Sequence, residues 1–277
     1  MKHLKISLKH LAKEGRFDFD YHDPPKLIHE YPSESLVRLD KLVDFKKLKR
    51  DPTKDPDVAF EYIDISSVDV VAGEIARTQT LVGSEAPSRA RKVVVAHDVI
   101  VSTVRPTRKA VAVVPVELHG EICSTGFVVL SPKPKVNPYY ILFVLRLDSS
   151  VEQLRKFSTG SSYPAILDSD LKKTLVPYVT TAEQDLIALK LLSAMHNRKT
   201  AIHELNRLWA TEIGKLDSNL KSKKKFKGDK ITGADQFIWQ ADKLQELREG
   251  LKKVDGAEED DSEGEFELEF EPKEDIE

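Results

Sequence analysis

A chain of 277 residues with an apolar fraction of 40% has room for one large domain or for one domain plus an appendage, and a charged fraction of 32%, above the usual roughly 25%, predicts that part of it is elongated or disordered. The net charge of −3 divides into an acidic tail, Asp255–Glu277, of −12 and a body, Met1–Val254, of +9, and a basic body favours a polyanionic partner. Cys123 is the only cysteine, which excludes an intramolecular disulfide framework and any multi-cysteine metal site and fits a reducing, cytoplasmic compartment.

The opening run MKHLKISLKHLAKEG has no apolar core long enough for a signal peptide. No stretch approaches the ~20 apolar residues of a membrane span. A short helix is expected within Met1–Lys26. Phe17, Asp18, Phe19, Asp20 and Tyr21 alternate aromatic and acid and predict an edge strand, stopped by Pro24 and Pro25. Ser35–Leu48 reads as a helix through Leu36, Leu39, Val43 and Leu48. Phe60–Ile65 alternates like a strand, with Asp64 or Ser66 placed to face a polar partner. Val70–Gly73 is a turn before an extended run, Ile75–Leu81.

Ala86–Phe127 organises the chain. Val93–Ala96, Val99–Thr103, Ala110–Val114 and Ile122–Ser124 are short runs rich in β-branched residues, each ending at Gly, Pro, Asp or His. Their junctions carry Arg89, Arg91, Arg105, Arg108 and Lys109 among Ser102, Thr103, Ser124 and Thr125. Apolar strands give such loops a fixed base, and cationic, donor-rich loops suit phosphates and base edges. Ordinary surface charge on a β-domain is the alternative. Phe127–Leu130 is a further strand. Pro138 opens a helix over Tyr139–Leu147, Val151–Phe157 is a second helix, and Ser158–Pro164 is a polar loop. A helical turn at Ser169–Lys173 and a strand at Leu175–Tyr178 close the block.

Thr180 then begins a capping box with Glu183 at its third helical position. Leu191, Met195, Ile202, Leu205, Trp209, Leu216 and Leu220 fall three, four or seven residues apart, and Arg198 interrupts them. That is a coiled-coil-like helix of ~60 Å, at 1.5 Å per residue, predicted to pack on a partner helix. A fold back onto its own domain is the alternative. Lys221–Lys230 reads as a Lys-rich linker and Ala234–Val254 as a second amphipathic helix. The tail beyond is too acidic to fold alone, although EFELEFE alternates acid and apolar residues.

Motifs for catalysis are missing. Asn137-Pro138-Tyr139-Tyr140 and Asp23-Pro24-Pro25-Lys26 each depart from the [DN]PP[YF] motif of N6-adenine methyltransferases, and no glycine motif for S-adenosylmethionine accompanies them. Neither phosphate-binding glycine motif is present. The histidines are scattered without ligand partners, so no metal site is expected. The sequence reads as a binding module and not as an enzyme.

The run from Tyr62 to Pro177 resembles a target-recognition domain of the specificity subunits of type I restriction–modification systems. YIDISSVD, G-E-I, EAPSRARKVV, DVIVSTVRP, ICSTGFVVL, PYYI and GSSYPAI carry the resemblance in order. Arg16, Asp18, Tyr21 and Pro24 echo the family's opening pattern. The helix after the domain, with Glu183-Gln184, is similar to the family's helical spacer. The resemblance implies an α+β protein: a β-rich target-recognition domain over 1–179, a spacer helix over 180–220, a linker and second helix over 221–254, and a disordered acidic tail over 255–277. It implies a non-catalytic subunit that reads double-stranded DNA and directs an anti-phage complex. The resemblance further implies that adenine methyltransferase subunits dock on its helices, that a motor-nuclease subunit can join them, and that S-adenosylmethionine is bound by the partner. Family members usually carry two such domains and two spacers. With one of each, this chain is expected to form a homodimer, to pair with a second specificity chain, or to serve a related defence system of different architecture. VTTAEQ also replaces the usual proline-rich turn before Glu-Gln.

In that reading Arg105, Arg108 and Lys109 contact phosphates or guanine edges, with Arg89 and Arg91 beside them. Ser102, Thr103, Ser124, Thr125, Ser161 and Ser162 add short-range hydrogen bonds, and Tyr163 packs on a sugar or a thymine methyl. A single module buries only ~600–1,000 Å² of protein surface on DNA, so a second copy is expected, with the rod holding half-sites at least ~34 Å apart. Arg89 and Arg91 have a second reading as carboxylate partners that hold the fold, and Tyr163 as core. For the whole chain the alternative is a protein-binding adaptor whose acidic tail mimics DNA.

Overall fold

The computed structural model describes residues 5–23, 25–160 and 162–221. By packing, residues 1–209 form one unit and 210–277 a second, of which the described part, 210–221, is helical. The expected linker from 222 onward, the second helix and the acidic tail lie outside the described residues.

In chain order the elements are α1 (Leu8–Glu14), α2 (Phe19–His22), β1 (Leu36–Arg38), α3 (Leu39–Leu42), β2 (Val43–Lys46), β3 (Ala59–Ile63), β4 (Val68–Asp69), β5 (Glu74–Ile75) and β6 (Gln79–Val82). Then come β7 (Ala90–Val93), β8 (Val99–Ser102), β9 (Val111–Val113), β10 (Ile122–Ser124), β11 (Phe127–Pro132), α4 (Pro138–Arg146), α5 (Asp148–Phe157), α6 (Asp168–Lys173), β12 (Leu175–Pro177) and α7 (Thr181–Lys221). One four-stranded sheet runs β2-β11-β8-β9, all antiparallel; the other runs β6-β3-β10-β7, with β3 and β10 parallel. The α+β class expected from the sequence is the one observed.

The first sheet is apolar on both faces, which is why its strands read as nearly unbroken β-branched runs. Successive side chains of a strand point to opposite faces. Val99, Val101, Val111, Val113, Val128 and Leu130 therefore face a core shared with α3–α6. Ile100, Ala112, Phe127 and Val129 face a second core shared with Ile63, Val68 and Cys123. Burial pushes the Cys123 thiol up to about 12, so it is an inert apolar filler.

Four local expectations need correction. Ser35–Leu48 is not one helix: β1 pairs with β12 and β2 with β11, and only Leu39–Leu42 turns helically between them. Leu39 and Val43 are buried either way, so their spacing fits both solutions. Phe17–Tyr21 is not an edge strand. Asp18 pairs with Arg16 at 2.6 Å, Tyr21 donates to Glu14 at 2.6 Å, and α2 forms instead. The extended run after Gly73 is two strands, β5 and β6, and the strand expected at Val93–Ala96 is displaced to Ala90–Val93. The short N-terminal helix, the helices after Pro138 and the capping box of α7 appear where expected. Glu183 accepts from the Thr180 amide at 3.0 Å.

Candidate nucleic-acid interface

Two loops meet beyond the end of β8. The Arg105 amide donates to the Pro164 carbonyl at 2.7 Å, the Ile166 amide donates to Thr103 at 3.0 Å, and Val104 bridges Ala165. Thr159 and Ala165 exchange backbone hydrogen bonds of 2.8 Å, closing the loop between them. That loop needs glycine at position 160, where φ is +93° and a Cβ would lie 3.1 Å from the Tyr163 carbonyl oxygen. The turn returns Tyr163 to the Arg105 side chain. The guanidinium lies 4.8 Å from the ring centroid, and its Nη2 donates to Ser162 O at 3.4 Å. The ring is 72% exposed, so Tyr163 is not core.

Arg105 and Lys109 flank a 3-10 turn, Pro106–Arg108, and both are left-handed, with φ of +50° and +57°. Each such residue costs on the order of 1–3 kcal/mol and persists only where its surroundings over-determine it. Here Arg105 is held by Pro164, and Lys109 by Asp148 at 2.7 Å and by Arg146, which donates to the Lys109 carbonyl at 3.1 Å. The turn closes through the Arg108 amide on Arg105 O at 2.9 Å and leaves Arg108 exposed.

On the neighbouring sheet, a register shift between Cys123 and Ser124 breaks the β10–β7 ladder. A bulge of this kind re-aims the chain. The Thr125 amide then donates to Arg89 O at 2.8 Å, and both residues are exposed. Arg89 and Arg108 line one open cleft of about 550 Å³ with Tyr62, Asp64, Ser66 and Val104, the residue before Arg105. Among the described residues neither Arg89 nor Arg108 has a carboxylate partner. The structure thus brings Arg89 and Arg108 to one cleft, with Ser124 also in its lining, while Arg105 and Tyr163 form a separate pair that follows Val104 in the chain and Thr125 is tied to the Arg89 backbone. Tyr62 lines the cleft and Gly160 shapes the Tyr163 loop; the sequence marks both through the resemblance and assigns neither a role in the site. Their signals were the alternation of FEYIDI and a glycine just ahead of the tyrosine in STGSSYP.

Other candidates are engaged internally. Ser102 and Ser124 are buried; Ser102 Oγ donates to Val104 O at 2.9 Å and Ser124 Oγ accepts from the Gly126 amide at 3.2 Å. Thr103 Oγ1 donates to Gly126 O at 2.9 Å. Arg91 donates to Ala90 O at 2.8 Å and stands 3.5 Å from Asp51, in keeping with its second reading as a carboxylate partner. Lys109 faces Asp148. Ser162 is exposed, and Ser161 lies outside the described residues.

The first unit also shows how the start of α7 is seated. Ala188 and Met195 are buried, and Ile187 and Leu191 pack against the helix-side core. Gln184, fully buried, accepts from the Asn137 amide at 3.0 Å and donates to Val179 O at 2.9 Å. Arg198 breaks the apolar seam because it pairs with Asp69 at 2.7 Å. Burial pushes the Asp69 carboxyl up, but Arg198 and the Ala72 and Val71 amides outweigh it and hold it below the usual carboxylate range. Further along, Ile202, Leu205, Trp209 and Leu216 are 43–61% exposed.

Residues 36–209 match the family model described as the type I restriction modification DNA specificity domain. The fold is similar to the HsdS subunit from Thermoanaerobacter tengcongensis, with 34% identity, a TM-score of 0.53, and 72% of this chain and 51% of that one covered. It is also similar to a chain from work on the structural basis underlying complex assembly and conformational transition of the type I R-M system. There the identity is 36%, the TM-score 0.54, and 71% of this chain and 50% of that one are covered. This chain spans about half the length of these two solved proteins. No curated protein matches it. With the matched region taking in both sheets, the cationic concavity and the seated part of the long helix, the chain belongs to the type I restriction modification DNA specificity domain family.

Proposed function

We propose that this chain is the non-catalytic DNA-recognition component of a type I restriction–modification complex. The carrying observation is the cleft lined by Arg89 and Arg108, two guanidinium groups lacking any carboxylate partner among the described residues, with the Arg105–Tyr163 pair following its lining residue Val104 in the chain. Free guanidinium groups on a rigid base neutralise phosphates and release counterions. In this reading Thr125 and Ser162 add hydrogen bonds, and the buried Ser102 and Ser124 shape the loops. An adenine methyltransferase subunit carrying S-adenosylmethionine, and a restriction or translocase subunit, assemble on the exposed stripe of α7. A second specificity chain or a second copy supplies the other half of the target.

The test is a salt titration of the full chain on a duplex of about 30 base pairs. Log K is expected to fall linearly with log salt. Arg89→Ala with Arg108→Ala should flatten that slope by about two, one for each phosphate no longer neutralised. An unchanged slope and affinity would remove this concavity from the interface.

A further inference from the structure

We infer that Arg105 is the base-reading residue of this surface and Tyr163 its positioning residue, a division of labour that rests on the DNA-recognition reading above. Of Arg89, Arg105 and Arg108, only Arg105 has a side-chain partner among the described residues. Its backbone stands at φ +50° immediately before Pro106. A residue preceding proline favours extended conformations, so the local sequence does not set this geometry. The partner loop does, through Pro164 O on the amide, Ser162 O on Nη2 and the Tyr163 ring beside the guanidinium. That loop is itself closed by the Thr159–Ala165 bridge and by the turn that only Gly160 permits.

Fixation separates two chemistries. A phosphate accepts from many directions and tolerates a mobile side chain. A base edge accepts two parallel bonds at one position, so its reader must present a planar fork in a set orientation. Arg89 and Arg108 are exposed and have no carboxylate partner among the described residues, which suits phosphates. Arg105 uses one Nη2 donor on Ser162 and one ring contact on Tyr163, and the remaining donors of its five N–H groups are available to a ligand. The edge that matches two parallel donors is the O6 and N7 pair of guanine in the major groove. Tyr163 contributes through Arg105: without the ring the fork regains rotational freedom.

The experiment selects duplexes with a randomised core on the full-length chain and counts the bound sequences. The wild type is expected to enrich a motif containing a fixed G·C pair. Arg105→Lys keeps the charge and loses the fork, so preference at that one pair should fall about 5- to 150-fold while the other positions and the salt slope hold. Tyr163→Ala should weaken the same pair and no other, and Tyr163→Phe should restore it. Arg108→Ala should lower affinity evenly across sequences and flatten the slope by about one. An Arg105→Lys selection identical to the wild type overturns the assignment, as does an even loss at every position. If Arg105→Lys alters the melting temperature, the Tyr163 pair decides: equal effects of Ala and Phe, or effects at several positions, overturn it. A wild type that enriches nothing overturns the DNA-recognition reading itself and the assignment with it.

Discussion

Single side chains set the edges of this domain. Glu14 accepts from Tyr21 at 2.6 Å and from Lys173 at 2.7 Å, joining α1 to α6. Those bonds, Lys173 first, hold its carboxyl down at about 2 against an ordinary 4.5. A carboxyl lowered in the folded state stabilises fully above its unfolded value, and that contribution is lost as pH falls from about 4.5 through about 2. Glu14→Gln should therefore be less stable than the wild type near neutral pH and converge with it toward pH 2, as followed by urea unfolding at stepped pH. A constant difference across the range would show that the pair does not titrate as a unit. Arg198 illustrates the same scale. From sequence it interrupts an apolar seam, and in the fold it is the ion partner of Asp69.

At the scale of elements, Gln184 fixes where the long helix starts. Gln184→Ala leaves the half-buried Asn137 amide and Val179 carbonyl without their partner, which costs roughly 1–3 kcal/mol. Chemical denaturation should show the loss, and amide exchange should rise at the N-terminal turns of α7 before it rises in the sheets. The same scale explains what could be read in advance. β8, β9 and β11 were legible because they are apolar on both faces, a pattern that local residues declare alone. Ser35–Leu48 was not, since its outcome is decided by Leu175–Pro177 and Val129–Pro132, far along the chain. The cationic character of the site was legible as composition. Which hydroxyls face outward was not, because strand parity and the shift between Cys123 and Ser124 decide it. The pairing of Arg105 with Tyr163 spans 58 positions and leaves no local trace.

Across the whole molecule, charge has the longest reach. A body of +9 and a tail of −12 share one chain, so the tail lowers the positive potential that a polyanion meets. Removing Asp255–Glu277 should raise duplex affinity, more at low salt than at high. A fluorescence anisotropy titration at two ionic strengths measures this. A fall in affinity would refute this screening, and a partner protein lost with no duplex binding in either form would favour the adaptor reading instead.

The pairing of β1 with β12 has a consequence for how the protein is made. Leu36 is opposite Pro177, and Val43 is opposite Pro132. On a translating ribosome the first-made strands wait, unpaired, with Leu36, Val37, Val43 and Phe45 uncovered, until their partners leave the exit tunnel. A nascent chain arrested before about residue 177 should stay sensitive to protease and prone to capture by chaperones. Synthesis that pauses there risks losing the product, and a gene cut short within this stretch yields no usable fragment.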